Sequence, residues 1–245
     1  MVNPEMSGGV ITPARWSRPQ NAFIWGGASL VAIVFALFLD APVARVTAIH
    51  SSSLLQAFAR EMTLLGQGWV VAVSGVLLTM VLLLLGRAKA ARIIFLIAAI
   101  GLITGGAATL LRSVIGRTRP NAHTTQGFYG PRHDSHWNIG KYEFSSFPSG
   151  HAATVVGLAA AAWMLHRRLG IVAAGYATLV SWSRIAQGSH HFSDVIAAAI
   201  LGIWGAYWIL TRAGPWLLAV KRFLVRAALP SRAGIAASGH NSCKA

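Results

Sequence analysis

Three short runs hold most of the side chains in this chain that are able to do chemistry. The first is Arg112-Ser-Val-Ile-Gly-Arg117-Thr-Arg119-Pro120. A guanidinium presents a planar fork that matches two phosphate oxygens, so closely spaced arginines invite an anion. The plainer alternative is a set of basic side chains snorkelling to a membrane edge. The second run is Phe147-Pro148-Ser149-Gly150-His151. Pro and Gly shape a turn, Ser149 is placed to cap the helix that follows, and the unpaired N–H groups of a helix start attract anions. His151 then falls in the first turn, within reach of the same anion. The third run is Ser183-Arg184-Ile-Ala-Gln-Gly-Ser-His190-His191-Phe-Ser-Asp194. His190 and Asp194 stand four apart, on one face of a helix that begins here. A carboxylate so placed can hold the imidazole's other N–H and fix its tautomer. An Asp near membrane depth costs about 2.5–3.5 kcal/mol on insertion scales, which implies a role or a partner.

In order and spacing, these runs resemble the signature of the type 2 phosphatidic acid phosphatase superfamily: Lys-x6-Arg-Pro, then Pro-Ser-Gly-His, then Ser-Arg-x5-His-x3-Asp. The chain has Arg112-x6-Arg119-Pro120, Pro148-Ser149-Gly150-His151 and Ser183-Arg184-x5-His190-x3-Asp194. Its single departure is Arg112, where the family usually has Lys. The resemblance implies that His190 attacks phosphorus to form a phosphohistidine and that Asp194 orients it. His151 would protonate the leaving oxygen and then activate water. Arg112, Arg119, Ser149, the Gly150 N–H and Arg184 would bind phosphate oxygens, with no metal and no cofactor. His191 is the rival nucleophile, disfavoured by its spacing to Asp194. Arg117 is expected at the rim of the site rather than on the phosphate. Two other readings keep the scaffold: a lipid phosphotransferase that passes the phosphoryl group to an alcohol, and a non-catalytic lipid transporter. Vanadium haloperoxidases use a related motif set but are soluble.

Such residues need a frame, and the composition names it. Of 245 residues, 55% are hydrophobic and 11% charged, against about 25% charged in an average soluble domain. The fold class expected is all-α, a polytopic membrane bundle of six transmembrane helices. A span needs about 20 apolar residues, and candidate runs lie at 23–39, 69–85, 93–111, 151–165, 169–182 and 195–210. The fourth and fifth are short and must extend into flanking polar residues. The first reads as an uncleaved anchor, since its polar leader is long and its apolar run exceeds the usual ~7–15 residues of a signal peptide. Residues 51–64 have helical apolar spacing and form either an outer interfacial helix or one packed on the bundle. Residues 216–229 suit an inner-surface amphipathic helix held by anionic lipid, and 230–245 read as a disordered tail. The domain reading is a membrane phosphatase domain over 1–212 and a basic cytoplasmic tail over 213–245.

The formal net charge is +15. Its basic residues punctuate apolar runs instead of gathering in a polar module with a recognised motif, which argues against nucleic-acid binding. Arg15, Arg18, Arg87, Lys89, Arg92, Arg167, Arg168, Arg212, Lys221, Arg222, Arg226 and Arg232 fall on one side of a six-span bundle. The positive-inside rule makes that side cytoplasmic. Asp40, Glu61, Asp134, Glu143 and Asp194 fall on the other side with the three motif runs. The protein is thus expected in a bacterial inner membrane, with both termini cytoplasmic and the active site periplasmic. The long loop at 121–146 is expected to read the lipid headgroup; its His133, Asp134 and His136 are either a polar rim or metal ligands. Candidate substrates are undecaprenyl diphosphate, phosphatidylglycerol phosphate, phosphatidic acid and the phosphates of lipid A, the first and last favoured by an outward-facing basic site. Cys243 is the one cysteine, which excludes an intrachain disulfide and a cysteine-based metal site.

Overall fold

Each apolar run forms a helix, and two of them are shorter than a full span. The computed structural model describes residues 19–49 and 53–228, with side chains over 23–47 and 53–212. The helices are α1 (Pro19–Ile49), α2 (Ser53–Leu65), α3 (Gly68–Leu84), α4 (Ala88–Ile115), α5 (Gly150–Leu165), α6 (Arg167–Ala186) and α7 (Phe192–Ala228). Two short strands, β1 (Arg132–His133) and β2 (His136–Trp137), lie in the connection between α4 and α5.

Four helical stretches are long and apolar enough to cross a membrane: Phe23–Thr47, Ala88–Ile115, Arg167–Ala186 and Phe192–Arg212. Helices α2 and α3 qualify together as one span bent by 59°, giving up to five. Six spans are not reached on length alone: α3 has 17 residues and α5 has 16. Large apolar side chains such as Phe38, Leu84, Leu110 and Val172 are exposed on the helix surfaces. Water would penalise that surface and lipid does not. The chain is a multi-pass membrane protein.

With lipid outside, burying apolar surface gains little, so close contact and interhelical hydrogen bonds must hold the bundle together. Small residues supply them. Ala108, Ala152, Ala153, Val195 and Ala198 form a buried cluster joining α4, α5 and α7. A Cβ at Gly202 would stand 2.7 Å from the Gly157 nitrogen, and one at Gly105 would collide with the Thr154 hydroxyl. Thr104 Oγ1 donates across from α4 to the Ala153 carbonyl at 2.9 Å.

Helix α2 packs on the bundle, which decides between the two readings of residues 51–64; residues 51 and 52 lie outside the described ones. Phe58 meets Trp182 with ring centroids 6.2 Å apart. Gln56 Nε2 donates to the Ala186 carbonyl at 2.9 Å, and the Tyr176 hydroxyl to that of Leu65 at 2.7 Å.

After α4, Gly116 turns the chain at φ +62°, where a side chain would also run into the Gly130 backbone. The segment 116–119 is then held from two sides. Tyr129 N–H donates to the Gly116 carbonyl and Thr118 N–H to that of Gly127, both at 3.0 Å. Ser146 N–H donates to the Arg117 carbonyl at 3.0 Å and Arg119 N–H to that of Glu143 at 2.9 Å. The loop between α4 and α5 is thus an ordered wrap around the arginine run.

Two compact units divide the chain, Met1–Tyr207 and Trp208–Ala245, and all three motif runs lie in the first. Helix α7 continues to Ala228, but the side chains that would make 216–229 amphipathic lie outside the described ones. So do Arg15, Arg18, Arg232, Cys243 and the 230–245 tail.

Candidate active site

The start of α5 has buried polar groups without protein partners. Ser149 takes the N-cap position, yet its side chain makes no capping hydrogen bond. This departs from the expected cap: Ser149 Oγ is buried without a partner. Gly150 leaves room for Arg112, whose Nη1 would lie 3.5 Å from a Cβ added there. The Arg112 guanidinium, at the end of α4, therefore sits over the first turn of α5. His151 follows with its Nε2 buried and unpartnered.

His190 stands between α6 and α7, 1% exposed. Its Nδ1 lies 2.8 Å from the Ser146 carbonyl. A carbonyl only accepts, so this bond needs a proton on Nδ1 and leaves the Nε2 lone pair free in the neutral ring. Nε2 is buried and has no partner. Burial lowers the imidazole to about 4, against the opposing charge of Asp194, so the ring is neutral at neutral pH. His191 is different: its Nε2 lies 3.2 Å from the Thr118 carbonyl.

Asp194 does not take the His190 N–H directly. Its Oδ2 is 3.6 Å from Nδ1, because that oxygen is already engaged by the Ser146 hydroxyl at 2.5 Å and the His191 N–H at 2.8 Å. Ser146 is the joint between them. Its hydroxyl donates to Asp194 and its carbonyl accepts from His190. Nothing in the motif pattern pointed to this residue, which stands three positions before Ser149.

The other two expected phosphate ligands are strongly held by the protein. Arg119 donates from Nε to the Tyr142 carbonyl at 2.9 Å, from Nη1 to that of Ser189 at 3.2 Å and from Nη2 to that of Ser145 at 3.1 Å. Its guanidinium also stacks on the Tyr142 ring, 3.8 Å from the centroid. Arg184 donates from Nη1 to Thr63 Oγ1 at 3.2 Å, while its Nε is buried and unpartnered. Thr63, on α2, also takes the Gln187 amide at 3.0 Å and shares a 2.9 Å bond with Ser183. His151 lies within charge range of Arg184, His190, Arg112 and Arg119. The structure thus brings together all eight expected site residues.

Arg117 is not a rim charge. It is 7% exposed and lies between two carboxylates, Nη1 to Asp194 Oδ1 at 2.5 Å and Nη2 to Asp40 Oδ2 at 2.7 Å. Arg117, Thr118 and Arg119 are all buried, so the whole segment is enclosed. Asp40 on α1 also accepts from the Ser193 N–H at 2.8 Å and hydroxyl at 2.6 Å. Its signal in the sequence was an acid inside an apolar run, which demands a partner.

His133, Asp134 and His136 stand at an exposed hairpin whose two turn residues, Asp134 and Ser135, have φ of +46° and +63°. Among the described residues, no group of three or more His, Cys, Asp or Glu side chains is placed to hold a metal.

An unpaired guanidinium over a helix start and a neutral buried imidazole thus lie together inside a membrane bundle. The chain belongs to the PAP2 superfamily, which matches residues 89–216, just over half its length. It is 36% identical over 101 residues to the lipid A 1-phosphatases of Rhizobium johnstonii and Rhizobium etli. That stretch is 41% of this chain and 40% and 42% of theirs, so the chain matches about two fifths of these relatives. The crystal structure of Aquifex aeolicus LpxE is similar in fold, with a TM-score of 0.50, 21% identity, 71% of this chain covered and 95% of that one.

Proposed function

We propose that this protein is an integral-membrane phosphatase that hydrolyses a lipid-linked phosphate or diphosphate through a phosphohistidine. The observation that carries the reading is the set of buried, unpartnered polar atoms in the second and third motif runs: Ser149 Oγ, His151 Nε2, Arg184 Nε and His190 Nε2. Buried polar groups without partners are costly, and a phosphoryl group would satisfy all four. Burial and the surrounding arginines lower His151 to about 3, so it takes up its proton only once a bound phosphate offsets those charges. His190 Nε2 then attacks phosphorus, the bond to the lipid oxygen breaks, and the protonated His151 gives that oxygen its proton. Water then attacks the phosphohistidine, His151 takes the water's proton, and the P–N bond electrons return to Nε2. Dividing one hard displacement into two is the gain of covalent catalysis. Arg112, Arg119, Arg184, Ser149 and the Gly150 N–H offset charge on the phosphoryl oxygens. Asp194 orients the nucleophile through Ser146.

Among candidate lipids, the phosphate of lipid A is supported by the names of the relatives. The charge pattern supports a site on the periplasmic face of a bacterial inner membrane, with six crossings, cytoplasmic termini and a basic tail after residue 212. The test is phosphate release by the purified chain in detergent, with EDTA present, from lipid A, undecaprenyl diphosphate, phosphatidylglycerol phosphate and phosphatidic acid. Release from at least one is expected, with loss in His190→Ala and labelled phosphate trapped on His190. Transfer to an alcohol without release, no reaction, or label on His191 would overturn the reading.

A further inference from the structure

Asp40 has no role in the motif pattern and lies outside the stretch matched to the family. Helix α1 is otherwise turned outward, with only 6% of its most apolar window buried. An acid on such a helix is expensive unless its charge is used. Its recorded partners are Arg117 and Ser193, and both lead to Asp194: Arg117 Nη1 bonds Asp194 Oδ1 at 2.5 Å and Ser193 Oγ at 2.6 Å.

Resting on the reading of His190 as nucleophile, we propose that Asp40 and Arg117 are positioning residues for it, acting through Asp194 and Ser146. Arg117 holds Asp194 Oδ1, which turns Oδ2 toward the Ser146 hydroxyl. That bond sets the Ser146 carbonyl on His190 Nδ1, and so sets the tautomer and direction of Nε2. Charge completes the argument. When Nε2 bonds to phosphorus, the ring becomes cationic, and Asp194 Oδ2, 3.6 Å from Nδ1, is the carboxylate that faces it. Arg117 alone would cancel most of that negative charge. Asp40 pairs with Arg117, so the trio carries one net negative charge and Asp194 keeps its effect on the ring. The first helix is thereby tied to the nucleophile.

The test uses the full chain in detergent, comparing wild type with Asp40→Asn, Arg117→Ala, Arg117→Lys and the double variant Asp40→Asn/Arg117→Ala. Each is checked for folding by gel filtration. Expected is a fall in kcat of about 10- to 100-fold for Asp40→Asn and more for Arg117→Ala, with KM within about threefold, since neither residue touches substrate. Arg117→Lys should recover part of the loss. The double variant should be no slower than Arg117→Ala, because Asp40 acts through Arg117. Unchanged kcat in folded variants, fully additive losses, or a rise in KM at constant kcat would overturn the proposal. If Arg117→Ala fails to fold, Asp40→Asn and Arg117→Lys carry the same kcat criterion. If the wild type releases no phosphate from any lipid, the proposed function fails separately. The inference is then read from the 15N resonances of labelled histidine, with His190 assigned by its loss in His190→Gln. A single Nδ1–H tautomer in wild type and a mixture in Asp40→Asn would support it; identical spectra would overturn it.

Discussion

At the scale of single residues, the proposed site depends on keeping one imidazole neutral and one guanidinium unpaired. Burial pushes His190 from its ordinary 6.5 down to about 4. Between those values the unfolded chain takes up a proton that the folded chain refuses. Stability from this residue is therefore whole above about pH 6.5 and is lost as the pH falls through about 4. The 15N resonances of labelled His190 should then stay those of a neutral ring from about pH 7.5 to 5.5. A half-conversion to the cationic ring near 6.5 would show that it titrates like an exposed one. Arg112 has no recorded hydrogen bond to its guanidinium and sits over Gly150, so its charge is free for an anion. Arg112→Ala should lose about 2–4 kcal/mol of transition-state stabilisation, roughly 30- to 1000-fold in kcat/KM. Arg112→Lys should keep measurable turnover, since an ammonium serves phosphate as a point charge. Near-normal kinetics for Arg112→Ala would remove it from the site.

At the scale of elements, glycine and threonine do what leucine does in a soluble core. A Cβ at Gly202 on α7 would press on the α5 backbone at 2.7 Å, where nothing can swing aside, whereas one at Gly175 on α6 would meet nothing within 4 Å. Gly202→Val should destabilise the bundle by about 1–3 kcal/mol or more, as overpacked cores do. Gly175→Ala should be neutral or slightly stabilising, because it removes a flexible residue from a helix. Thermal melting followed by gel filtration reads both, and equal effects would contradict the packing. The α5 start, the α6 end and the α7 start reach the site only because this close approach holds them there. Helix α2 then fixes Arg184 from outside through Thr63.

At the scale of the molecule, the expected arrangement in the membrane remains a prediction from charge. In a Cys243→Ser background, Thr124→Cys in the outer loop should react with an impermeant thiol reagent from the periplasm. Lys89→Cys, between α3 and α4, should react only after the inner membrane is opened. Thr124→Cys labelled solely from the cytoplasm would invert the topology and move the site to the other face. The span count belongs to the same question, since α5 is too short by itself and α2 joins α3 at a 59° bend.

Helices and motif runs were legible in the sequence because each is a local property. An apolar run is a helix in a membrane whatever surrounds it, and Pro148-Ser149-Gly150-His151 is a helix start by residue type alone. The eight candidate site residues were gathered by the resemblance of the three motif runs to a family signature, each run sitting at an element boundary. What only the tertiary structure decided are the contacts between distant segments. Arg117 looked like a rim charge until the outer loop folded over segment 116–119 and turned its side chain toward Asp194, 77 residues on. Asp40 looked like an outer-side acid until α1 brought it to Ser193, 153 residues away. Ser149 looked like a cap, but its hydroxyl was left free beside Arg112. Local pattern sets which groups are present, while burial and long-range approach set which pairs of charges must neutralise each other and which polar atoms are left for a ligand.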